Sequence, residues 1–65
     1  MKLLEQLPAH GYKVQDTKRI NGARIITISG RGAWVRCVFR PGIPLELVRL
    51  HIQFLQRSVR NLLQA

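Results

Sequence analysis

The sequence contains few acidic residues. Only Glu5, Asp16 and Glu46 are acidic, whereas eleven residues are Lys or Arg, and the formal net charge is +8. The three carboxylates lie in three separate segments, so no two are spaced to work as an acid and base across a substrate. We therefore predict no catalytic residues. A charge balance of this kind favours an acidic partner, of which nucleic acid is the commonest.

Cysteine is almost absent. Cys37 is the only one, which excludes an internal disulfide, and no cluster of residues is spaced to hold a structural zinc. His10 and His51 lack a third ligand, so we predict no metal site. The "GRG" stretch is too short for a phosphate-binding loop. We therefore expect no cofactor and a non-enzymatic protein, with Cys37 acting as a small buried hydrophobe.

Long apolar runs are also missing. The stretch from Ile25 to Ile28 is far too short to cross a bilayer, and Glu5 and Pro8 interrupt the apolar start of the chain before a targeting segment develops. We expect a cytoplasmic protein without a membrane partner. The 65 residues, 46% of them hydrophobic, form a single small basic domain over residues 1–65. Because its core is thin, we expect a homodimer.

The order of apolar and turn residues predicts an α+β fold of the type αβββα. A short N-terminal helix over 1–7 ends at Pro8, which lacks an N–H group. The turn sequences "RINGAR" and "SGRGA" then separate three strands of an antiparallel β-meander. After Pro41 and Gly42, the periodicity predicts a long C-terminal amphipathic helix from Pro44 to about Leu63, packed on one sheet face.

Side-chain alternation predicts the two hairpin registers. A three-residue loop of Ile20, Asn21 and Gly22 sets Val14 opposite Ile28, and a two-residue loop of Gly30 and Arg31 sets Ile28 opposite Ala33. The face toward the helix then carries Tyr12, Val14, Ile26, Ile28, Ala33, Val35, Cys37 and Phe39. The other face carries Lys13, Gln15, Ile25, Thr27, Trp34, Arg36, Val38 and Arg40.

The C-terminal helix has two apolar surfaces. The main stripe, which we expect to cover the sheet, consists of Leu45, Val48, Ile52, Leu55, Val59, Leu62 and Leu63. Leu47, Leu50 and Phe54 lie on a second face, which implies a second burial surface. Either the N-terminal helix covers them through Leu3, Leu4 and Leu7, or they form a dimer or partner interface.

The stretch "GRGAWVRCVFR" places cationic and aromatic side chains on the outward face of the third strand. Phosphates bind to spaced cationic donors, and an exposed indole adds stacking or a cation–π contact. The first candidates for nucleic-acid binding are Arg31, Trp34, Arg36 and Arg40. The second group consists of Lys13, Lys18, Arg19 and Arg24.

The element order resembles the double-stranded-RNA-binding fold and, within it, the small HicA toxins that cleave messenger RNA. The segment "LLEQLPAHGYKV" is similar in character to their opening helix and first strand. Those toxins carry a working histidine in a Gly-Ser-His motif near the first turn, where this chain has Lys18, Arg19 and Ile20. A sheet followed by a helix also resembles the arm-binding domains of phage integrases, which read DNA with the sheet.

These observations favour a small non-enzymatic protein that binds DNA or RNA through the basic, Trp-bearing sheet face and the turns. A phage- or plasmid-type inhibitor is the main alternative, and it would bind an acidic host protein through Leu47, Leu50 and Phe54. A further alternative is a HicA-like ribonuclease toxin that lacks the usual histidine motif.

Overall fold

The computed structural model describes residues 2–65, and its architecture confirms the predicted α+β fold. Two short 3-10 helices come first, followed by three antiparallel strands and one long helix, α1. Met1, the first residue of the predicted N-terminal helix, lies outside the described residues. The elements are the 3-10 helices Lys2–Gln6 and Pro8–His10, β1 Lys13–Lys18, β2 Arg24–Gly30, β3 Ala33–Phe39 and α1 Leu45–Gln64.

The N-terminal segment is helical as predicted, but its turns are of the 3-10 type and it does not end at Pro8, which begins the second 3-10 helix. The Leu7 N–H donates to the Leu4 carbonyl at 3.2 Å, and the His10 N–H donates to the Leu7 carbonyl at 2.9 Å. Gly11, in the left-handed region at φ 88°, ends the segment. A helix this short has no stability of its own and depends on packing, which the fully buried Leu7 provides.

The sheet has the strand order β1-β2-β3, and its first hairpin has the predicted register. Val14 lies opposite Ile28. Gly22 has a φ of 89°, the left-handed conformation that a three-residue loop requires. The Asn21 side-chain oxygen accepts a bond from the Ala23 N–H at 3.0 Å and so stabilises the turn.

The predicted register of the second hairpin was wrong. Gly30 pairs with Ala33, so the two-residue loop consists of Arg31 and Gly32, and Ile28 lies opposite Val35. Both loop residues have positive φ, 51° and 78°, which is the type I′ turn whose twist matches the flanking strands. The error shifts the pairing by two residues and therefore leaves every side chain on its predicted face.

The core lies between the sheet and α1, with Leu7 closing one end. Its buried members are Leu7, Tyr12, Ile26, Ile28, Cys37, Leu55 and Val59. The Tyr12 hydroxyl donates to the Leu62 carbonyl at 3.2 Å and ties the start of β1 to the end of α1.

Helix α1 begins one residue later than predicted, because Pro44 has an extended ψ of 146° and acts as the N-cap. The predicted stripe was also too long. Leu55 and Val59 are buried, but Leu45 is 65% exposed and Ile52 is 38% exposed. Leu45 is the first residue of α1, and Ile52 lines a groove with Leu4 and Phe39. Within residues 2–65, no helix is long and apolar enough to cross a membrane.

Candidate nucleic-acid interface

The outer sheet face is the side of the sheet that faces away from α1. Strand pairing arranges its side chains in three rows across β1, β2 and β3. None of these side chains is acidic, so nothing on the face neutralises its cations. The rows are Lys13, Ser29 and Trp34; Gln15, Thr27 and Arg36; and Thr17, Ile25 and Val38.

Trp34 and Arg36 lie on this face along the edge strand β3. The Trp34 side chain is 64% exposed, although indole is normally among the most buried side chains. Arg36 lies two residues further along β3, about 7 Å away on the same side. Lys13 is exposed at the far end of the Trp34 row. This arrangement offers a flat surface for stacking, with cations on two sides of it.

Arg40 and Arg31 extend the candidate site beyond the strands. Arg40 is exposed directly after β3 and lines a groove beside Arg36. Arg31 is in the second turn, where its guanidinium carbon lies 5.8 Å from the centroid of the Tyr12 ring. This cation–π contact holds the Arg31 side chain against Tyr12, a core residue on the sheet face toward α1, while Arg31 itself remains exposed.

The structure does not bring the remaining candidates onto the outer sheet face. Lys18 lies opposite Arg24 in the strand register, on the side of the sheet that faces α1, and Arg19 is in the first turn. Arg24 donates its Nε–H to Asp16 Oδ1 at 2.9 Å, and a second bond from its Nη2 completes a bidentate ion pair. The Arg24 guanidinium lowers the pKa of the Asp16 carboxyl through this hydrogen bond. Arg24 is thus partly neutralised.

Ile20 is an exposed apolar residue that the sequence reasoning did not select as a site residue. It is at the tip of the first hairpin, with an exposed fraction of 109%, which means that the side chain makes almost no contact with the fold. Arg19 precedes it. A large apolar residue in the loop of a tight turn was the available sequence signal, because such loops normally carry polar residues.

The second apolar surface of α1 is uncovered. Leu47, Leu50 and Phe54 are 45%, 59% and 55% exposed. The N-terminal segment does not cover them, because Leu7 lies in the core and Leu3 and Leu4 pack against the core. That explanation was therefore wrong, and the surface is open.

Cys37 and His51 meet where α1 crosses β3. The Cys37 Sγ lies 3.9 Å from the His51 carbonyl oxygen, and burial raises the pKa of the Cys37 thiol. The thiol is therefore a poor nucleophile near neutral pH. The His51 ring contacts Phe39 edge-on, with centroids 5.7 Å apart.

His10 lies in a separate part of the molecule. Its Nδ1 is hydrogen-bonded to the Gln6 carbonyl oxygen at 2.9 Å. Across the described part of the chain, no three His, Cys, Asp or Glu side chains are grouped closely enough to hold a metal ion.

Comparison with known proteins finds no match to this chain. No protein family matches it, and neither a curated protein nor a solved structure does. The resemblances to the HicA toxins and to the integrase domains therefore rest on element order alone.

Proposed function

We propose that this protein binds nucleic acid through the outer sheet face, without catalysing a reaction. The proposal rests on one observation: Trp34 is 64% exposed on a sheet face that carries Lys13 and Arg36 and has no acidic residue. An exposed indole keeps a large apolar area in water, and a partner that stacks on it would bury that area. Nucleic acid supplies both a flat base for the indole and phosphates for the arginines.

The geometry favours a single strand over a duplex. A duplex presents its phosphates but keeps its bases stacked inside, whereas an unpaired base can lie on an aromatic side chain. The outer sheet face is a stacking platform of this kind, with Trp34 and Arg36 on β3 and Lys13 on β1. Both DNA and RNA carry the groups that it would contact.

The experiment measures binding of 12-nucleotide oligo-dT and oligo-U by quenching of Trp34 fluorescence, which is unambiguous because the chain has one tryptophan. For three to four phosphate contacts, the logarithm of the affinity should fall with the logarithm of salt concentration with a slope of about −2 to −3. Arg36→Ala should weaken binding and reduce the slope by about 0.7. Trp34→Ala, followed by anisotropy of a labelled oligonucleotide, should cost about 1–3 kcal/mol.

Arg57→Ala is the matched control. Arg57 is exposed on α1, away from the outer sheet face, and its replacement removes the same charge. It should leave both affinity and salt slope nearly unchanged. Equal losses from Arg36→Ala and Arg57→Ala would mean that net charge alone attracts the nucleic acid, and the proposed face would be wrong.

A further inference from the structure

Strand β3 has a free edge. The sheet order places β3 beside β2 only. In a two-residue hairpin, the pair that closes the loop is hydrogen-bonded, and here that pair is Gly30 and Ala33. Hydrogen-bonded and non-hydrogen-bonded residue pairs then alternate along β2 and β3. The backbone groups of Ala33, Val35, Cys37 and Phe39 therefore point toward β2. Those of Trp34, Arg36 and Val38 point away from the sheet, ready to pair with another strand.

The free edge borders the uncovered apolar surface of α1. A groove of about 410 Å³ separates the two, and its lining includes Arg36, Val38 and Phe54. Leu47 and Leu50 continue the apolar surface along α1. An unpaired strand edge beside an exposed apolar helix flank is typical of a protein–protein interface rather than of a solvent-facing surface.

We propose that a second copy of this chain occupies this surface. The two β3 strands pair antiparallel about a two-fold axis beside Cys37 and form one six-stranded sheet. The apolar flanks of the two α1 helices then meet across the same axis. This inference does not depend on the proposed function.

The charges on β3 restrict the register of such a pair. Three registers keep at least five residues of each strand paired, with the axis beside Val35, Arg36 or Cys37. An axis at Arg36 sets two arginines directly opposite each other, which is unfavourable. An axis at Cys37 sets Arg36 opposite the partner's Val38 and Trp34 opposite the partner's Arg40, which permits a cation–π contact.

The position of α1 selects Cys37 over Val35. The Cys37 Sγ lies 3.9 Å from the His51 carbonyl oxygen, so the middle of the apolar flank crosses β3 at this level. Leu47, Leu50 and Phe54 are spread evenly about this point of the helix. A two-fold axis there brings Leu47 of one antiparallel helix level with Phe54 of the other. Strand edge and helix flank are thus self-complementary about one axis.

The required area is available. A standard interface buries about 800 Å² on each partner, which is about a sixth of the 4893 Å² surface of this chain. Strand pairing alone buries less than this, and the three exposed side chains of the helix flank supply the apolar remainder. The dimer also continues the outer sheet face across the axis. It places the two copies of Arg36 beside the axis and each Arg40 three residues from it, about 10 Å away.

Salt distinguishes a second copy from an acidic partner. In the dimer, the two copies of Arg36 and the two copies of Arg40 repel one another, so salt, which screens this repulsion, strengthens the dimer. Contacts to an acidic protein or to nucleic acid instead weaken as salt rises. Light scattering on nucleic-acid-free protein should therefore give twice the mass of one chain, with a larger dimer fraction in 0.5 M than in 0.1 M NaCl. A monomer at all concentrations up to 0.5 mM, or a dimer that dissociates as salt rises, would overturn the proposal.

Val38→Pro tests the strand pairing directly. The Val38 N–H points to the free edge, so its loss removes no bond to β2 but blocks pairing with a second β3. This variant should be monomeric and folded. The matched control, Lys18→Pro, places proline at the corresponding outward N–H of the other edge strand, β1, and should dimerise normally. Dimerisation of Val38→Pro to the same extent as the unchanged chain would contradict the proposed interface.

Amide hydrogen exchange keeps the test valid if Val38→Pro does not fold. In the unchanged chain, the N–H groups of Trp34, Arg36 and Val38 should become more protected as protein concentration rises. Those of Val14, Asp16 and Lys18 on the β1 edge should not. Equal behaviour of the two edges would exclude β3 pairing.

Discussion

Gly30 has no room for a side chain. Its φ is 138°, and a Cβ atom there would lie 2.6 Å from the Gly11 carbonyl oxygen and 3.1 Å from the Tyr12 Cα. Both neighbours are backbone atoms, so neither can rotate away. The end of β2 therefore fits against the start of β1 only because residue 30 has no side chain.

We expect Gly30→Ala to lower the free energy of unfolding by about 2–3 kcal/mol, because it adds a steric clash to an unfavourable φ. Urea denaturation followed by circular dichroism measures the loss. Gly32→Ala is the matched control, since Gly32 has a φ of 78° but no heavy atom within 4 Å of the added Cβ. It should cost only about 1–2 kcal/mol of left-handed strain. Equal losses in the two variants would mean that the close approach to Gly11 is not what requires glycine.

The sequence predicted single residues well where alternation determined them. Cys37 and Ile26 lie in the core, and Trp34 and Arg36 are exposed, because a strand has only two sides. The Arg24 ion pair was missed, and Arg24 was selected as a nucleic-acid contact instead. The predicted register of β1 and β2 already sets Lys18 opposite Arg24, so that Asp16 lies diagonally across from Arg24 on the same sheet face.

The Asp16–Arg24 ion pair joins the two strands of the first hairpin. The Asp16 and Arg24 side chains are 41% and 54% exposed, so solvent weakens their attraction. The lowered pKa of Asp16 means that the folded state favours the carboxylate. Its stabilisation is therefore complete above the ordinary Asp pKa and is lost as pH falls through the lowered pKa of the folded state.

We expect Asp16→Asn to lower the free energy of unfolding at pH 7 by no more than about 1 kcal/mol. The difference in free energy of unfolding between Asp16→Asn and the unchanged chain should shrink as pH falls below about 4, where the Asp16 carboxyl of the unfolded chain begins to be protonated. Urea denaturation across this pH range measures it. Arg24→Gln, alone and combined with Asp16→Asn, completes a double-mutant cycle. A difference that stays constant with pH, or no coupling in the cycle, would show that the pair does not stabilise the hairpin.

The elements themselves were predictable, and the error in the second hairpin has a physical cause. The predicted register aligned Ile26 with Val35, which matches apolar to apolar, but the observed pairing of Ile26 with Cys37 does so equally well. Hydrophobic matching therefore could not decide between them. The strand twist could not decide either, because type I′ and type II′ turns both match it. In the observed register Gly30 ends β2, where it lies against the backbone of Gly11 and Tyr12, and Arg31 and Gly32 both take positive φ.

The positive charge of this protein is spread over the fold rather than concentrated at one end of the chain. Only one ion pair links acidic and basic side chains within residues 2–65. The sequence predicted the size of this charge and, through side-chain alternation, an outer sheet face without acidic residues, on which Arg36 is exposed. What alternation could not predict is which side chains lie opposite one another across β2 and β3.

This charge predicts how the stability of the fold depends on salt. The molecule measures 34 × 23 × 20 Å, and the screening length is about 30 Å at 0.01 M salt but about 8 Å at 0.15 M. At low salt, therefore, cations on opposite sides of the molecule repel one another, and unfolding relieves this repulsion. Raising NaCl from 0.01 to 0.3 M should increase the free energy of unfolding by roughly 1 kcal/mol.

Urea denaturation at a few micromolar protein measures this increase, and Val38→Pro serves as a background in which the proposed dimer cannot contribute. Replacing both Arg57 and Arg60 with Gln supplies the comparison, because the two arginines lie three residues apart on the exposed side of α1. This variant should be more stable at 0.01 M salt and less dependent on NaCl. A free energy of unfolding that falls with NaCl would instead mean that attraction, as in the Asp16–Arg24 pair, outweighs the repulsion among the eleven cations.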